Sequence, residues 1–204
     1  MKLDHIVFAV EDLAAAAQEL EAEHGLVSVA GGRHPGWGTE NRIIPLGESY
    51  LELIAVADEL EAAAGPFGRW VAGARGARPQ PLGWAVRTDE IEHVARRLGL
   101  PVAEGSRKTA EDELLRWRYA GVERAMAEPC LPFFIEWAAG SPFPGRAAAP
   151  RFGVAELRLR GDAAELEEWL GAHDLPVVMR PGAPAVEAAV LSGPGGEVVL
   201  SGGS

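Results

Sequence analysis

The sequence predicts an α+β fold built from repeated β-α-β-β-β modules, on three observations. First, the order strand, helix, strand, strand, strand recurs along the chain with a period of roughly 50–75 residues. Second, the apolar residues alternate in the strand segments and repeat every three to four positions in the helical segments. Third, stretches rich in glycine and proline separate the copies. Because one copy alone would leave one face of its sheet apolar and exposed, the copies must pack against each other.

The first copy covers residues 3–57. The β-branched and aromatic run Leu3–Val10 predicts a strand, and Asp12–His24 predicts a helix with one apolar face. The stretch 31–38 contains too much glycine and proline for a regular element, so we expect a loop there. The remaining elements of this copy are strands predicted at 27–30, 41–46 and 49–56.

The second copy covers residues 81–139 and the third, shorter copy follows a linker rich in Pro, Gly and Ala. We therefore expect a double module at 1–145 and a third βαβββ-like module at 150–204. The third module either covers a sheet face of the first two or mediates contact in a homodimer, because an apolar face would otherwise meet solvent. The elements predicted beyond residue 57 are helices at 66–72, 88–98 and 162–173 and strands at 82–87, 101–104, 114–119, 133–138, 154–160, 177–180, 186–192 and 197–201.

Composition and charge exclude several classes of function. The formal net charge of −11 argues against a nucleic-acid partner, because phosphate binding requires a cationic surface. No apolar run approaches the roughly 18 residues of a membrane span, and no signal peptide is recognisable. The single cysteine, Cys130, rules out an intramolecular disulfide and suits a reducing compartment. We expect a cytoplasmic protein that binds a small molecule and neither nucleic acid nor membrane.

Several side chains with chemical potential lie on or beside the predicted strands. His5 shares a strand face with Val7 and Ala9, whereas Asp4, Ile6 and Phe8 are expected on the opposite face. Tyr50, Glu52 and Ile54 share a face of the fourth strand. A carboxylate buried there without a partner would be costly, and either a divalent cation or a hydrogen bond to the histidine removes that cost.

The glycine-rich stretch and the second copy supply further candidates for substrate binding. His34 is a substrate contact, a third metal ligand or a solvated loop residue, and Trp37 either closes over the site or anchors the loop by packing. Asn41 is expected to bind a substrate oxygen. Trp117 lines the site if the arginines beside it, Arg116 and Arg118, face solvent. The reverse register would bring two guanidinium groups inward and favour an anionic substrate.

Five motifs, together with the tandem modules, resemble those of the vicinal oxygen chelate superfamily, which includes glyoxalase I, bleomycin-resistance proteins and extradiol dioxygenases. The resemblance is most specific to its glyoxalase-like domain branch, and it covers residues 3–139 by motif and 150–204 by element order. The motifs are LDHIV at 3–7, GGRHPGWGT at 31–39, YLELI at 50–54, LRWR at 115–118 and PFFIEW at 132–137.

The resemblance implies that paired modules curl their sheets into a cup and that metal ligands come from the first and fourth strands of each module. Matched residue by residue, this gives His5, Glu52 and Glu136 as ligands, with Glu136 alternatively a general base. The fourth ligand is missing, because the matching positions near Pro81 and Gly83 cannot coordinate. Such a donor set suits Zn²⁺, Mn²⁺, Fe²⁺ or Ni²⁺. Glu136 could instead pair with Arg116 or Arg118.

Two functions follow from this resemblance. The first is a divalent-metal-dependent lyase, isomerase or dioxygenase acting on a small oxygen-bearing molecule. In it, the cation would stabilise a developing enolate, and His34, Trp37, Asn41, Tyr50 and Trp117 would contact the substrate. The second is a metal-free protein that binds and sequesters a small molecule in the same cup. The pairing of His5 with Glu52 favours the enzyme, whereas the missing fourth ligand favours the binding protein.

Overall fold

The computed structural model describes residues 1–76, 78–109 and 113–202, and it confirms an α+β fold of three βαβββ units. The first module contains β1 (Lys2–Ala9), α1 (Leu13–His24), β2 (Val29–His34), β3 (Thr39–Pro45) and β4 (Tyr50–Val56). A connection of two helices, α2 (Glu59–Ala64) and α3 (Pro66–Ala74), leads to the second module. That module contains β5 (Gln80–Arg87), α4 (Ile91–Leu98), β6 (Val102–Lys108), β7 (Leu114–Ala120), α5 (Val122–Ala127) and β8 (Phe133–Trp137). The third contains β9 (Gly153–Arg160), α6 (Ala163–Leu170), β10 (Val177–Arg180), β11 (Ala185–Gly193) and β12 (Gly196–Ser201).

The first two modules form one eight-stranded sheet in the order β2-β3-β4-β1-β5-β8-β7-β6. Within each module the first and last strands pair in parallel, β1 with β4 and β5 with β8. The antiparallel pairing of β1 with β5 joins the modules at the centre of the sheet. The sheet curls so far that its two edge strands, β2 and β6, approach each other, which produces the cup that the resemblance implied.

Two glycines of β2 allow close packing here, Gly32 against the opposite sheet edge and Gly31 against the neighbouring strand β3. A Cβ atom on Gly32 would lie 2.3 Å from the backbone oxygen of Lys108 on β6. A Cβ atom on Gly31 would lie 2.6 Å from the backbone oxygen of Asn41 on β3. The β2–β3 register shifts at this point, so the glycines form a bulge. We call the contact between β2 and β6 the seam.

The prediction of a loop at 31–38 is therefore wrong in its first half. Strand β2 continues to His34, and only the next four residues form a turn. Glycine content normally opposes a strand, but here the absence of side chains is what the close packing requires. Strand β6 likewise runs to Lys108, beyond the predicted end at 104. Helices α2 and α5 were not predicted, and α6 ends at Leu170.

The eight-stranded sheet carries apolar side chains on both faces, and the third module packs on the outer one. Ile6, Phe8 and Phe134 on the outer face belong to one core with Leu157 and Leu191 of the third module. The alternative in which this module covers a sheet face is therefore observed within the chain, and the homodimer stays a prediction. Among the described helices, none combines the length and the apolar character that crossing a membrane requires.

The third module repeats the element order of the other two but not their strand pairing. Its sheet has the order β10-β9-β11-β12, so its first strand is internal and pairs in parallel with β10. In the first two modules the first strand instead pairs in parallel with the last. This sheet consequently packs as a separate layer against the cup and does not extend it.

Candidate functional site

The candidate site is a small cavity of about 50 Å³ on the concave side of the eight-stranded sheet, which we call the inner cavity. Its polar lining comes from both modules and its walls are largely aromatic. The lining residues are His5, Val7, His34, Trp37, Asn41, Tyr50, Glu52, Phe67, Arg107, Trp117, Tyr119, Val122, Phe133, Ile135 and Trp137. The structure thus brings together every residue that the sequence proposed for the site except Glu136.

A β-bulge in β1 brings Asp4 to the cavity side. Leu3 pairs with Val86 of β5, and the next pair is His5 with Ala85, so Asp4 is an extra residue on β1. The prediction that Asp4 faces away from His5 is therefore wrong, because strict alternation does not hold across the bulge. The Asp4 side chain is fully buried, at 0% exposure.

Asp4 fixes the orientation of His5. Asp4 Oδ1 lies 2.7 Å from His5 Nδ1, and its Oδ2 accepts a hydrogen bond from Trp137 Nε1 at 3.0 Å. Arg87 Nη1 lies 3.7 Å from the same Oδ2. Because a carboxylate only accepts and the 2.7 Å contact is a hydrogen bond, the proton of the neutral imidazole belongs on Nδ1, which leaves a lone pair on Nε2.

The free nitrogen of His5 faces Glu52. Nε2 lies 3.5 Å from Glu52 Oε2, and the ring is held by stacking on Tyr50, with ring centroids 4.7 Å apart. Glu52 Oε1 accepts a hydrogen bond from Asn41 Nδ2, and Asn41 Oδ1 accepts one from Gly32 N–H at 2.8 Å. The His5 ring is therefore flanked by a carboxylate at each nitrogen.

Tyr50 contributes a neutral hydroxyl to this cluster. Its pKa is raised well above the ordinary value, first by complete burial and then by the negative charges of Asp4 and Glu52. The phenol therefore stays protonated at physiological pH and serves as a hydrogen-bond donor beside the imidazole.

His34 lies at the end of β2, buried at 7% exposure, and is not the solvated loop residue that the sequence also allowed. Its Nδ1 lies 3.0 Å from Thr39 Oγ1, and its Nε2 lies 3.8 Å from Glu52 Oε1. Burial lowers the pKa of His34; Glu52 opposes this, whereas Arg107 and His5 lower the pKa further. His34 is consequently neutral at physiological pH.

This lowered pKa predicts a pH dependence of stability. The unfolded chain binds a proton at His34 as pH falls through about 6.5, whereas the folded chain does not, so acidification favours unfolding. The loss is at most about 1.4 kcal/mol per pH unit and continues down to the folded-state pKa. Thermal unfolding at pH 7.5 and 5.5 should show a smaller loss for His34→Gln than for the wild type. Parallel losses in the two proteins would contradict the assignment.

Aromatic side chains close the inner cavity toward a wider, apolar groove. Trp37 packs on Phe67, with centroids 4.6 Å apart, and against the edge of Tyr119 at 5.9 Å. These three residues also line the outer groove, which has a volume of about 490 Å³. Trp37 therefore separates the two spaces. On the opposite wall, Trp117 packs on Trp137, and Arg116 and Arg118 face outward.

Glu136 lies on the outer face of β8, away from the cavity. It accepts hydrogen bonds from the Arg118 guanidinium and, at 3.1 Å, from the backbone N–H of Ile91 at the start of α4. Partial burial acts to raise the pKa of Glu136, but these hydrogen bonds outweigh it and lower the pKa. The sequence correctly grouped Glu136 with Phe134 on one strand face, but that face is the one that α4 and the third module cover. Glu136 therefore lies on the opposite face of the sheet from His5 and Glu52 and does not contribute to the inner cavity.

The donor set fits a resident divalent metal only in part. His5 carries a carboxylate partner on Nδ1, as metal-binding histidines usually do, and the 3.5 Å to Glu52 Oε2 is close to the separation of two ligands on one ion. On β5, however, His5 pairs with Ala85, which cannot coordinate. In the described part of the chain no group of three His, Cys, Asp or Glu side chains is arranged to hold a metal. A complete protein-bound metal site is therefore not formed by this arrangement.

The sequence did not reveal Asp4, Trp137 or Arg107 as site residues. The only signal for Asp4 in the sequence was a carboxylate within an apolar strand, next to a candidate histidine. Arg107 was missed because β6 was expected to end before it.

The cup of paired βαβββ modules and the polar cluster inside it define a protein of the vicinal oxygen chelate fold. The family model described as "Glyoxalase-like domain" matches residues 3–173, and the chain belongs to that family.

Three solved structures are similar to this chain to different degrees. A hypothetical protein from Staphylococcus aureus is 14% identical and superposes with a TM-score of 0.72 over 94% of this chain and 91% of that one. Methylmalonyl-CoA epimerase from Mycobacterium tuberculosis is 20% identical, with a TM-score of 0.47 over 72% of this chain and 91% of that one. The Streptomyces coelicolor epimerase, in complex with 2-nitronate-propionyl-CoA, is 17% identical, with a TM-score of 0.48 over 68% and 97%. No curated protein matches the chain.

Proposed function

We propose that this protein is an enzyme of the isomerase or lyase type that moves a proton on a small oxygen-bearing molecule. One observation carries the proposal: His5, oriented by buried Asp4, presents a free Nε2 to Glu52 inside a cavity walled by aromatic rings. An imidazole held in this way is suited to general acid–base catalysis, because Asp4 fixes its tautomer and a carboxylate lies beside each ring nitrogen.

The proposed step is proton removal from a carbon next to a carbonyl group. His5 Nε2 takes the proton, and the electron pair of the C–H bond moves to the carbonyl oxygen as an enolate. Asp4 and Glu52 stabilise the imidazolium that forms, and Tyr50 fixes the ring plane. Return of the proton from Nε2 to a different position gives an isomerase, and loss of a leaving group gives a lyase.

A divalent cation is not part of this step. Zn²⁺, Mn²⁺, Fe²⁺ or Ni²⁺ would have His5 Nε2 and Glu52 as protein ligands, which is one fewer than the three of a catalytic zinc site or of an iron oxygenase. His34 Nε2, 3.8 Å from Glu52 Oε1, is a further donor atom. This nitrogen already faces the Asn41 amide nitrogen at 3.4 Å, and His34 Nδ1 faces Thr39 Oγ1. The proposal therefore favours acid–base chemistry over dioxygenase chemistry.

Deuterium exchange tests the proposal without knowledge of the physiological substrate. Purified protein in D₂O is incubated with pyruvate, dihydroxyacetone or lactaldehyde, each of which has a C–H proton on the carbon next to its carbonyl group. Proton NMR then follows its replacement. We expect the wild type to accelerate exchange of at least one compound, and His5→Gln or Glu52→Gln to slow it at least about a hundredfold. His93→Gln, at an exposed position of α4, is the matched control.

Metal content is measured on the same preparations by inductively coupled plasma mass spectrometry. Exchange that persists in chelator-treated wild type supports acid–base catalysis by the side chains. One equivalent of metal that is lost in both His5→Ala and Glu52→Ala, with exchange restored only by that metal, would replace the proposed step by a metal-assisted one. No exchange of any compound by the wild type would contradict proton transfer.

A second candidate function is binding and sequestration of a small molecule without chemistry. The observation that favours it is the apolar contribution of the second module, which supplies Ala85, Phe133 and Ile135 to the inner face of the cup. For a binding protein we expect a rise in melting temperature with a ligand that shows no exchange in D₂O.

A further inference from the structure

Arg107 is a buried cation on the wall of the inner cavity. It lies on β6 near the seam, with 6% exposure. Its Nη1 is buried and has no hydrogen-bond acceptor in the structure as described for residues 1–76, 78–109 and 113–202. Buried guanidinium N–H groups nearly always have a partner, so this unsatisfied donor requires an explanation.

The acidic groups of the cavity already have other partners. Asp4 is engaged by His5 and Trp137, and Glu52 is engaged by Asn41 and faces His5. The positive charge of Arg107 acts to lower the pKa values of both His34 and Tyr50. The guanidinium therefore lies close to the polar end of the cavity. Arg107 thus combines a place in the lining of the inner cavity with a buried donor that has no acceptor among the described residues.

We propose that Arg107 binds the carboxylate of a small organic acid, such as a short-chain 2-oxo or 2-hydroxy acid, in the inner cavity. The planar guanidinium presents parallel N–H donors that match the two oxygens of a carboxylate. The cavity of about 50 Å³ has room for only a few non-hydrogen atoms, so the carboxylate end of a short acid would lie there and the remainder would extend toward the outer groove beyond Trp37. This inference rests on the proposed function, because it names the substrate class of the same site.

Neutral and charged probes of equal size test the inference. Binding of pyruvate and of pyruvamide is measured by thermal shift and isothermal titration calorimetry at constant ionic strength. We expect pyruvate, but not pyruvamide, to raise the melting temperature of the wild type. Arg107→Met should abolish the shift. Arg107→Lys keeps the charge but loses the parallel N–H donors of the guanidinium, and it should weaken binding at least tenfold. Arg116→Met, on the exposed outer face of β7, should bind pyruvate as the wild type does.

The stability of the unliganded variants separates a binding role from a structural one. If Arg107 serves a ligand, Arg107→Met without ligand should melt at or above the wild-type temperature, because an unpaired buried charge has been removed. A clear fall in melting temperature for both Arg107→Met and Arg107→Lys, with pyruvate binding kept in Arg107→Lys, would assign the residue to the fold and overturn the inference. Equal binding of pyruvamide, or an equal shift with inorganic phosphate, would overturn it as well.

The outcome is distinguishable from that of the proposed function. Pyruvate binding that depends on Arg107 without deuterium exchange would support the carboxylate site and contradict proton transfer. Exchange on dihydroxyacetone or lactaldehyde, together with pyruvate binding that is absent or unchanged by Arg107→Met, would support proton transfer and contradict the carboxylate site.

Discussion

Asp4→Asn is expected to lower the free energy of unfolding by about 3 kcal/mol, although the two side chains have nearly the same shape. The carboxylate is completely buried and accepts from His5 Nδ1 and Trp137 Nε1, with Arg87 close by. An amide can accept from only one of these donors, because its second terminal atom is itself a donor. It also leaves the positive charge of Arg87 less well compensated.

The same substitution should also reduce proton transfer. An asparagine amide group facing His5 Nδ1 would favour the tautomer that carries its proton on Nε2, and the base would then be lost. We therefore expect Asp4→Asn to slow deuterium exchange about as strongly as His5→Gln does. Urea denaturation followed by fluorescence gives the stability change, and NMR in D₂O gives the rate.

Asp174→Asn is the control for Asp4→Asn, since Asp174 is exposed. Its substitution should change the free energy of unfolding by no more than about 0.5 kcal/mol and should leave the deuterium exchange rate unchanged. A variant at Asp4 that keeps wild-type exchange would show that the carboxylate serves only the fold. A variant that keeps wild-type stability would show that its buried hydrogen bonds are not energetically important.

Trp84→Ala is expected to cost about 4 kcal/mol of unfolding free energy. Trp84 is fully buried on the outer face of β5, and its Nε1 donates to the backbone oxygen of Cys130 at 3.1 Å. It belongs to the core that joins the cup to the third module. Truncation would leave a large cavity at this junction and an unsatisfied carbonyl.

Trp70→Ala provides the comparison for Trp84→Ala, because Trp70 on α3 is only partly buried and packs on the inner side. We expect its loss in urea denaturation to be less than half that of Trp84→Ala. Hydrogen exchange by mass spectrometry should show lower protection in β9 and β11 for Trp84→Ala alone. Equal stability losses for the two variants would contradict a dominant role of the junction.

The sequence was sufficient for the order of elements and for most of the cavity residues, because alternation places His5, Tyr50 and Glu52 inward once the strands pair. It failed at Asp4, since the bulge depends on pairing with β5, some eighty residues away in the sequence. It failed at β2, since glycines that disfavour an isolated strand are required where two strands approach closely.

The assignment of faces could not be made from periodicity alone. A period of two groups Glu136 with Phe134 but does not say which side of the sheet becomes concave. That side is decided by the packing of α4 and the third module on the outer face. Arg107 could not be recognised either, because its importance depends on an unpaired nitrogen that only the folded arrangement reveals.

The seam between β2 and β6 also determines where the chain is open to association with other strands. Unpaired edge strands are templates for aggregation, and in the eight-stranded sheet the two edges face each other. The edges of the smaller sheet, β10 and β12, have no such protection from a facing strand within the described sheets, and each carries an exposed valine, Val178 and Val199. Any strand-to-strand assembly of this protein is therefore directed to its third module.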